Sequence, residues 1–254
     1  MPEIEMSNPE NARSPLSASP RPPRTLDFVE TLLVALIADG VFLLTSGIFL
    51  SILLYMHEGA MSPAHFRTLW LQGNWQGVGV IVGSPPTIAV LWLAVREARR
   101  DFAEYLALNW PSRGDVLYAF ALMAILFVAK MAVASIVGSP KVAVDYLTVK
   151  GAGGLLILLI AGCIVAPVME EFVVRGVMFR GWSESFLGPI GAIILTSALW
   201  AMNHTQYDWF GQLDVFMSGL TLGYLRWRSN STWLTVMAHS ANNTLIFFMA
   251  GPYA

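Results

Sequence analysis

The chain has 254 residues, of which 56% are hydrophobic and 13% charged, with a net charge of -2 and a mean hydropathy of +0.59. A soluble domain carries about twice that share of charge, so the composition argues against a water-soluble globular protein, a disordered chain or a nucleic-acid binder, and the single Cys163 excludes an internal disulfide and a cysteine-rich metal cluster. An all-α, polytopic transmembrane helix bundle of about seven spans remains.

In chain order, residues 1–26 come first, with Pro2, Pro9, Pro15, Pro20, Pro22 and Pro23 among Ser, Asn and scattered charges. They predict a disordered cytoplasmic tail rather than a signal peptide, followed by a single transmembrane domain over 27–254. Apolar stretches long enough for spans run over roughly 28–55, 77–95, 115–137, 153–181, 188–205, 210–226 and 231–250. The first and fourth are long enough to tilt, and the sixth is short. Connectors 63–72 and 97–110 mix aromatics, apolar residues and charges, which suits either the headgroup layer or an ordinary amphipathic link. Eleven of the 15 Lys and Arg fall on one side of this arrangement, against three on the other, with Lys130 inside span three. That bias places the N-terminus in the cytoplasm and the C-terminus outside.

An ionisable group in a spanning helix is costly, so each one marks a site by default. Asp39 in span one and Lys130 in span three lie at similar depths, where they could pair with each other or Lys130 could snorkel, and both read as structural groups. Span four carries Glu170, Glu171 and Arg175. Glu171 and Arg175, four apart, are offset by about 40° on a helix, while Glu170 lies about 140° from Arg175. A Glu171–Arg175 structural ion pair would leave Glu170 without a local partner and suited to proton transfer. Pro167, just upstream, removes a backbone hydrogen bond and is placed to kink this helix. His204 lies in span five, one turn after Trp200; span seven carries His239 and Asn243 on one face. At about 1.5 Å per residue from the cytoplasmic ends, Glu170, His204, His239 and Asn243 lie roughly 17, 24, 12 and 18 Å deep, within one layer. His204, His239 and Asn243 are also explicable as packing groups hydrogen-bonded to neighbouring helices.

Three motifs in order, Glu170-Glu171-Phe172-Val173-Val174-Arg175, then Trp200-Ala201-Met202-Asn203-His204, then His239-Ser240-Ala241-Asn242-Asn243, resemble the CPBP intramembrane proteases, a family that includes the CAAX prenyl endopeptidases and bacterial immunity-linked homologues. The resemblance covers about residues 150–250. It departs at Trp200, where the family pattern has Phe. It implies peptide-bond hydrolysis inside the membrane. Glu170 and His204 would activate water, and His239 with Asn243 would hold the oxyanion. The family name often includes "metalloprotease". A divalent metal such as zinc, were one bound, would take Glu170, His204 and His239 as ligands. The sharp His-Glu-x-x-His zinc signature is absent, and the reading leans to a metal-free site. The implied partners are a peptide or protein substrate, membrane-anchored ones included, and the lipid bilayer, with no nucleic acid. The plain architecture suggests a bacterial inner membrane. Two other readings stand beside the enzyme: a non-enzymatic immunity or scaffold protein that keeps the polar cluster for packing, and a small proton-coupled carrier, against which there is no inverted repeat.

Overall fold

The computed structural model describes residues 22–137 and 151–250. The expected tail as far as residue 21, and the external charges Lys141 and Lys150, lie outside the described residues. Among the described residues every regular element is helical. They are α1 (Phe28–Glu58), α2 (Pro63–Trp70), α3 (Gly73–Glu97), α4 (Phe102–Tyr105) and α5 (Arg113–Val137). There follow α6 (Gly151–Ile160), α7 (Ala166–Glu171), α8 (Phe179–Ser183), α9 (Gly188–Asn203), α10 (Trp209–Ser229) and α11 (Thr232–Ala250). Helix starts follow the side chains that can satisfy free N–H groups. Asp27 and Glu30 form a reciprocal capping box on α1, and Asp208 caps α10 by accepting from Gly211. Asn230, in the left-handed region at φ 49°, ends α10.

Helices α1 and α3, with Arg113–Ile136 of α5 and the continuous run Gly153–Ser183, are long and apolar enough to cross a membrane; α9 is a shorter apolar helix. Helices α10 and α11, with 21 and 19 residues, rise about 30 Å each. Seven helical runs therefore stand where about seven spans are expected. Outward-facing Leu43, Leu44, Ile125, Val128 and Ile136 are exposed, which in water would be a liability and in lipid is the expected coat.

The run from α6 to α8 is the central element. One side, through Val174, Met178, Phe179 and Trp182, packs into a core shared with α9, α10 and α11. The other, through Phe172 and Val177, packs into a core shared with α1, α3 and α4. The run is widened by π-helical pairing over Ala161–Val165 and Phe172–Met178. The first of these precedes Pro167. With i to i+5 pairing, Gly162 O would accept from residue 167, which has no N–H. Asn243 of α11 supplies the missing donor: its Nδ2 reaches Gly162 O at 2.9 Å. Close approach at Gly181 locks the run to α1, and close approach at Gly219 locks α10 to α9. A Cβ on Gly181 would fall 1.9 Å from Thr31 Oγ1 of α1, and one on Gly219 of α10 would fall 2.8 Å from Ser197 Cβ of α9.

Two connecting segments are held against the bundle. The connector 97–110 is not a headgroup helix along its length. Tyr105, Leu106 and Ala107 are buried, and the backbone N–H of Thr232 donates to Ala107 O at 2.9 Å, so the segment plugs the end of the bundle against α11. Burial also pushes the Tyr105 phenol up to about 12. The last residues of the expected tail are likewise held, with Leu26 buried and Arg24 N donating to Ala98 O at 3.1 Å.

Candidate active site

Trp200 of α9 organises the polar residues singled out by the sequence. Its indole Nε1 donates to Glu170 Oε2 at 2.7 Å. Its backbone carbonyl accepts from His204 Nδ1 at 2.8 Å. That carbonyl is free because α9 ends at Asn203 and the chain tightens, so that His204 N donates to Ala201 O instead. The imidazole thus caps a helix C-terminus. A carbonyl only accepts, so Nδ1 carries the proton and the lone pair of neutral His204 lies on Nε2. The ring stacks on Tyr207 with centroids 5.9 Å apart.

Glu170 and His204 line one cavity of about 220 Å³, together with Asp39 of α1, Thr87 of α3, and Asn203 and Gln206 beside His204. Apolar walls come from residues such as Phe42, Met169 and Val173. Glu171 points the other way and is fully buried. Arg175 Nη1 donates to Glu171 Oε1 at 2.9 Å, and Arg175 Nη2 donates to Gly219 O at 3.1 Å. The guanidinium lies 4.5 Å from the centre of the Trp200 ring. His239 Nδ1 lies 2.9 Å from the same Glu171 oxygen. A carboxylate accepts, so Nδ1 is the protonated nitrogen of His239 as well. Its ring meets Trp200 edge-on at 5.2 Å.

The structure therefore brings Glu170 and His204 into one cavity and joins His239 to them through the Trp200 ring. Asn243 is spent in part on Gly162 O, leaving one amide N–H. Neither His239 nor Asn243 lines the cavity. The Asp39–Lys130 pair does not form. Lys130 Nζ binds Asp214 Oδ2 of α10 at 2.6 Å and Ser218 Oγ at 3.0 Å, because α5 packs on α10 while α1 packs on α3. Asp214 escaped sequence reasoning because it sits in the shortest span. Thr87 and Gln206 escaped it, and Asp39, though singled out, was not joined to Glu170 and His204, because nothing local ties α1 or α3 to α9.

For a metal, the donor set as arranged is a poor fit. Among the described residues no three His, Cys, Asp or Glu side chains converge. His239 turns Nδ1 to Glu171, and the Glu170 oxygen faces an indole N–H.

A partly enclosed, largely apolar cavity lined by a carboxylate and an imidazole, set among helices apolar enough to cross a membrane, is the candidate site. The family model described as Type II CAAX prenyl endopeptidase Rce1-like matches residues 152–245, and over that segment the chain carries the CPBP resemblance read from its three motifs. The matched segment holds Glu170, Trp200, His204, His239 and Asn243. No curated protein and no solved structure matches the chain. The match supports a protease activity in an integral membrane protein.

Proposed function

We propose that the chain is an intramembrane endopeptidase that hydrolyses a peptide bond with a water held between Glu170 and His204. The observation that carries this is the double use of Trp200, whose indole and carbonyl fix Glu170 and His204 on the wall of one cavity. A water there donates one hydrogen to the Glu170 carboxylate and the other to His204 Nε2, so its lone pair is free for the scissile carbonyl carbon. On attack the water proton passes to Glu170 and the carbonyl becomes a tetrahedral oxyanion. When the C–N bond breaks, Glu170 returns that proton to the leaving amine.

His239 and the remaining N–H of Asn243 are the proposed oxyanion donors, as the family resemblance implies. With Nδ1–H committed to Glu171, His239 can donate from Nε2 only as the imidazolium. Glu171, held by Arg175, is then its counter-charge. No metal enters these steps. The substrate is a peptide or protein, membrane-anchored ones included; the charge bias supports a cytoplasmic N-terminus, and the plain architecture supports a bacterial inner membrane.

A second reading has its own support: His239 and Asn243 both make bonds that a purely packed bundle would need. Under it the protein is a non-enzymatic immunity or scaffold factor. Glu170→Ala and His204→Ala separate the two. The enzyme reading expects each to abolish peptide cleavage while the detergent melting temperature stays within about 3 °C, roughly 1 kcal/mol for a chain of this size. Wild-type turnover in both variants would overturn it.

A further inference from the structure

Asp39 is the one carboxylate deep in the described spanning helices that nothing in the fold holds. Glu171 is bound by Arg175, Asp214 by Lys130, and Glu170 by the Trp200 indole. Among the described residues no hydrogen bond or ion pair is recorded for Asp39. It stands half-buried on α1, on the wall of the cavity that holds Glu170 and His204. Among the described residues no Lys or Arg lines that cavity, so Asp39 and Glu170 face its interior with no cation on the cavity wall. Its other polar lining groups, Thr87, Asn203, Gln206 and His204, include no Lys or Arg. A carboxylate at membrane depth without a protein partner is costly and marks a functional site by default, and a low-dielectric cavity strengthens its attraction for a cation.

Resting on the endopeptidase reading of this cavity, we propose that Asp39 is a specificity-determining residue that seats a Lys or Arg side chain of the substrate close to the scissile bond. Helix α1 lies outside the segment that carries the three motifs, so the water-activating pair and the residue that selects the substrate come from different parts of the chain. The α1 contact orients the peptide across the cavity from Glu170. It also sets a preference that the motif-bearing helices do not encode.

The test uses N-acetylated, C-amidated peptides that differ only in carrying Lys, Gln or Glu at one position beside the cleaved bond. Binding to the full chain with Glu170→Ala is read by fluorescence anisotropy, independently of turnover. The Lys peptide is expected to bind roughly tenfold more tightly than the Gln peptide. Adding Asp39→Asn should bring the ratio to about one, and Asp39→Lys should turn the preference toward Glu. On the unmodified chain, n-butylammonium should weaken binding of the Lys peptide more than that of the Gln peptide, which keeps the proposal testable if an Asp39 variant fails to fold. Equal binding of Lys and Gln peptides, or a Lys preference that survives Asp39→Asn, overturns the proposal. Absence of Glu170-dependent hydrolysis alongside a retained, Asp39-dependent Lys preference would instead overturn the endopeptidase reading and leave the cation seat standing.

Discussion

Replacing Glu171 by Gln is the sharpest probe of how the site is held. Glu171 and Arg175 side chains are 0% and 1% exposed, and their contact is a single Nη1–Oε1 bond of 2.9 Å rather than a two-pronged one. Glu171→Gln keeps the shape and removes the charge. Arg175 then retains Gly219 O at 3.1 Å and the Trp200 face at 4.5 Å, and loses its only charged neighbour in that contact set. Breaking a buried ion pair costs about 3–5 kcal/mol because one charge is left uncompensated. The retained carbonyl and indole contacts place this case near the lower end, at about 3 kcal/mol. For a chain of this size that is a fall of about 6–12 °C in melting temperature. With His239 in its neutral form, the double variant Glu171→Gln with Arg175→Met removes both charges of the pair from the same buried volume, and should recover to within about 1 kcal/mol of the starting protein. Thermal melts of all four species in one detergent form the double-mutant cycle. A single-variant loss below about 1 kcal/mol, or a double variant no more stable than the single, refutes the claim that the pair balances itself at a dry site.

Two further outcomes test the roles of Trp200 and Asn243. Trp200→Phe keeps an aromatic ring, matching the family pattern, but removes the N–H that holds Glu170. A charge-assisted hydrogen bond worth about 1.5–3 kcal/mol should be lost from positioning, so kcat/KM should fall about 10- to 100-fold with little change in melting; unchanged turnover would show that the indole does not position the carboxylate. Asn243→Ala leaves Gly162 O without its donor, at a cost of about 1–3 kcal/mol in the melt besides any loss of turnover. A fall in turnover with an unmoved melt would refute the structural half of that assignment.

Much of the fold was legible because lipid imposes one rule on every span: backbone groups must pair within the helix, and side chains facing out must be apolar. Low charge, apolar runs of about 20 residues and a one-sided Lys/Arg bias follow from that rule without any tertiary information. The 3.6-residue period also shows that Glu170 and Glu171 point apart and that Arg175 can reach only one of them. What the linear pattern does not contain is which helices touch. Lys130 meets Asp214 and not Asp39 because α5 packs on α10. Pro167 leaves Gly162 O short of a donor, but only the packing of α11 on the widened helix brings Asn243 to it. Trp200 reads in sequence as a neighbour of His204 alone. In the bundle it holds Glu170 thirty residues away by its indole and His204 by its carbonyl. The sequence by itself determined the medium, the helices and the polar residues carried by its three motifs, since these depend on local composition and helical period. The tertiary structure alone decided the pairings and the cavity, since those depend on distances between helices that no local period encodes.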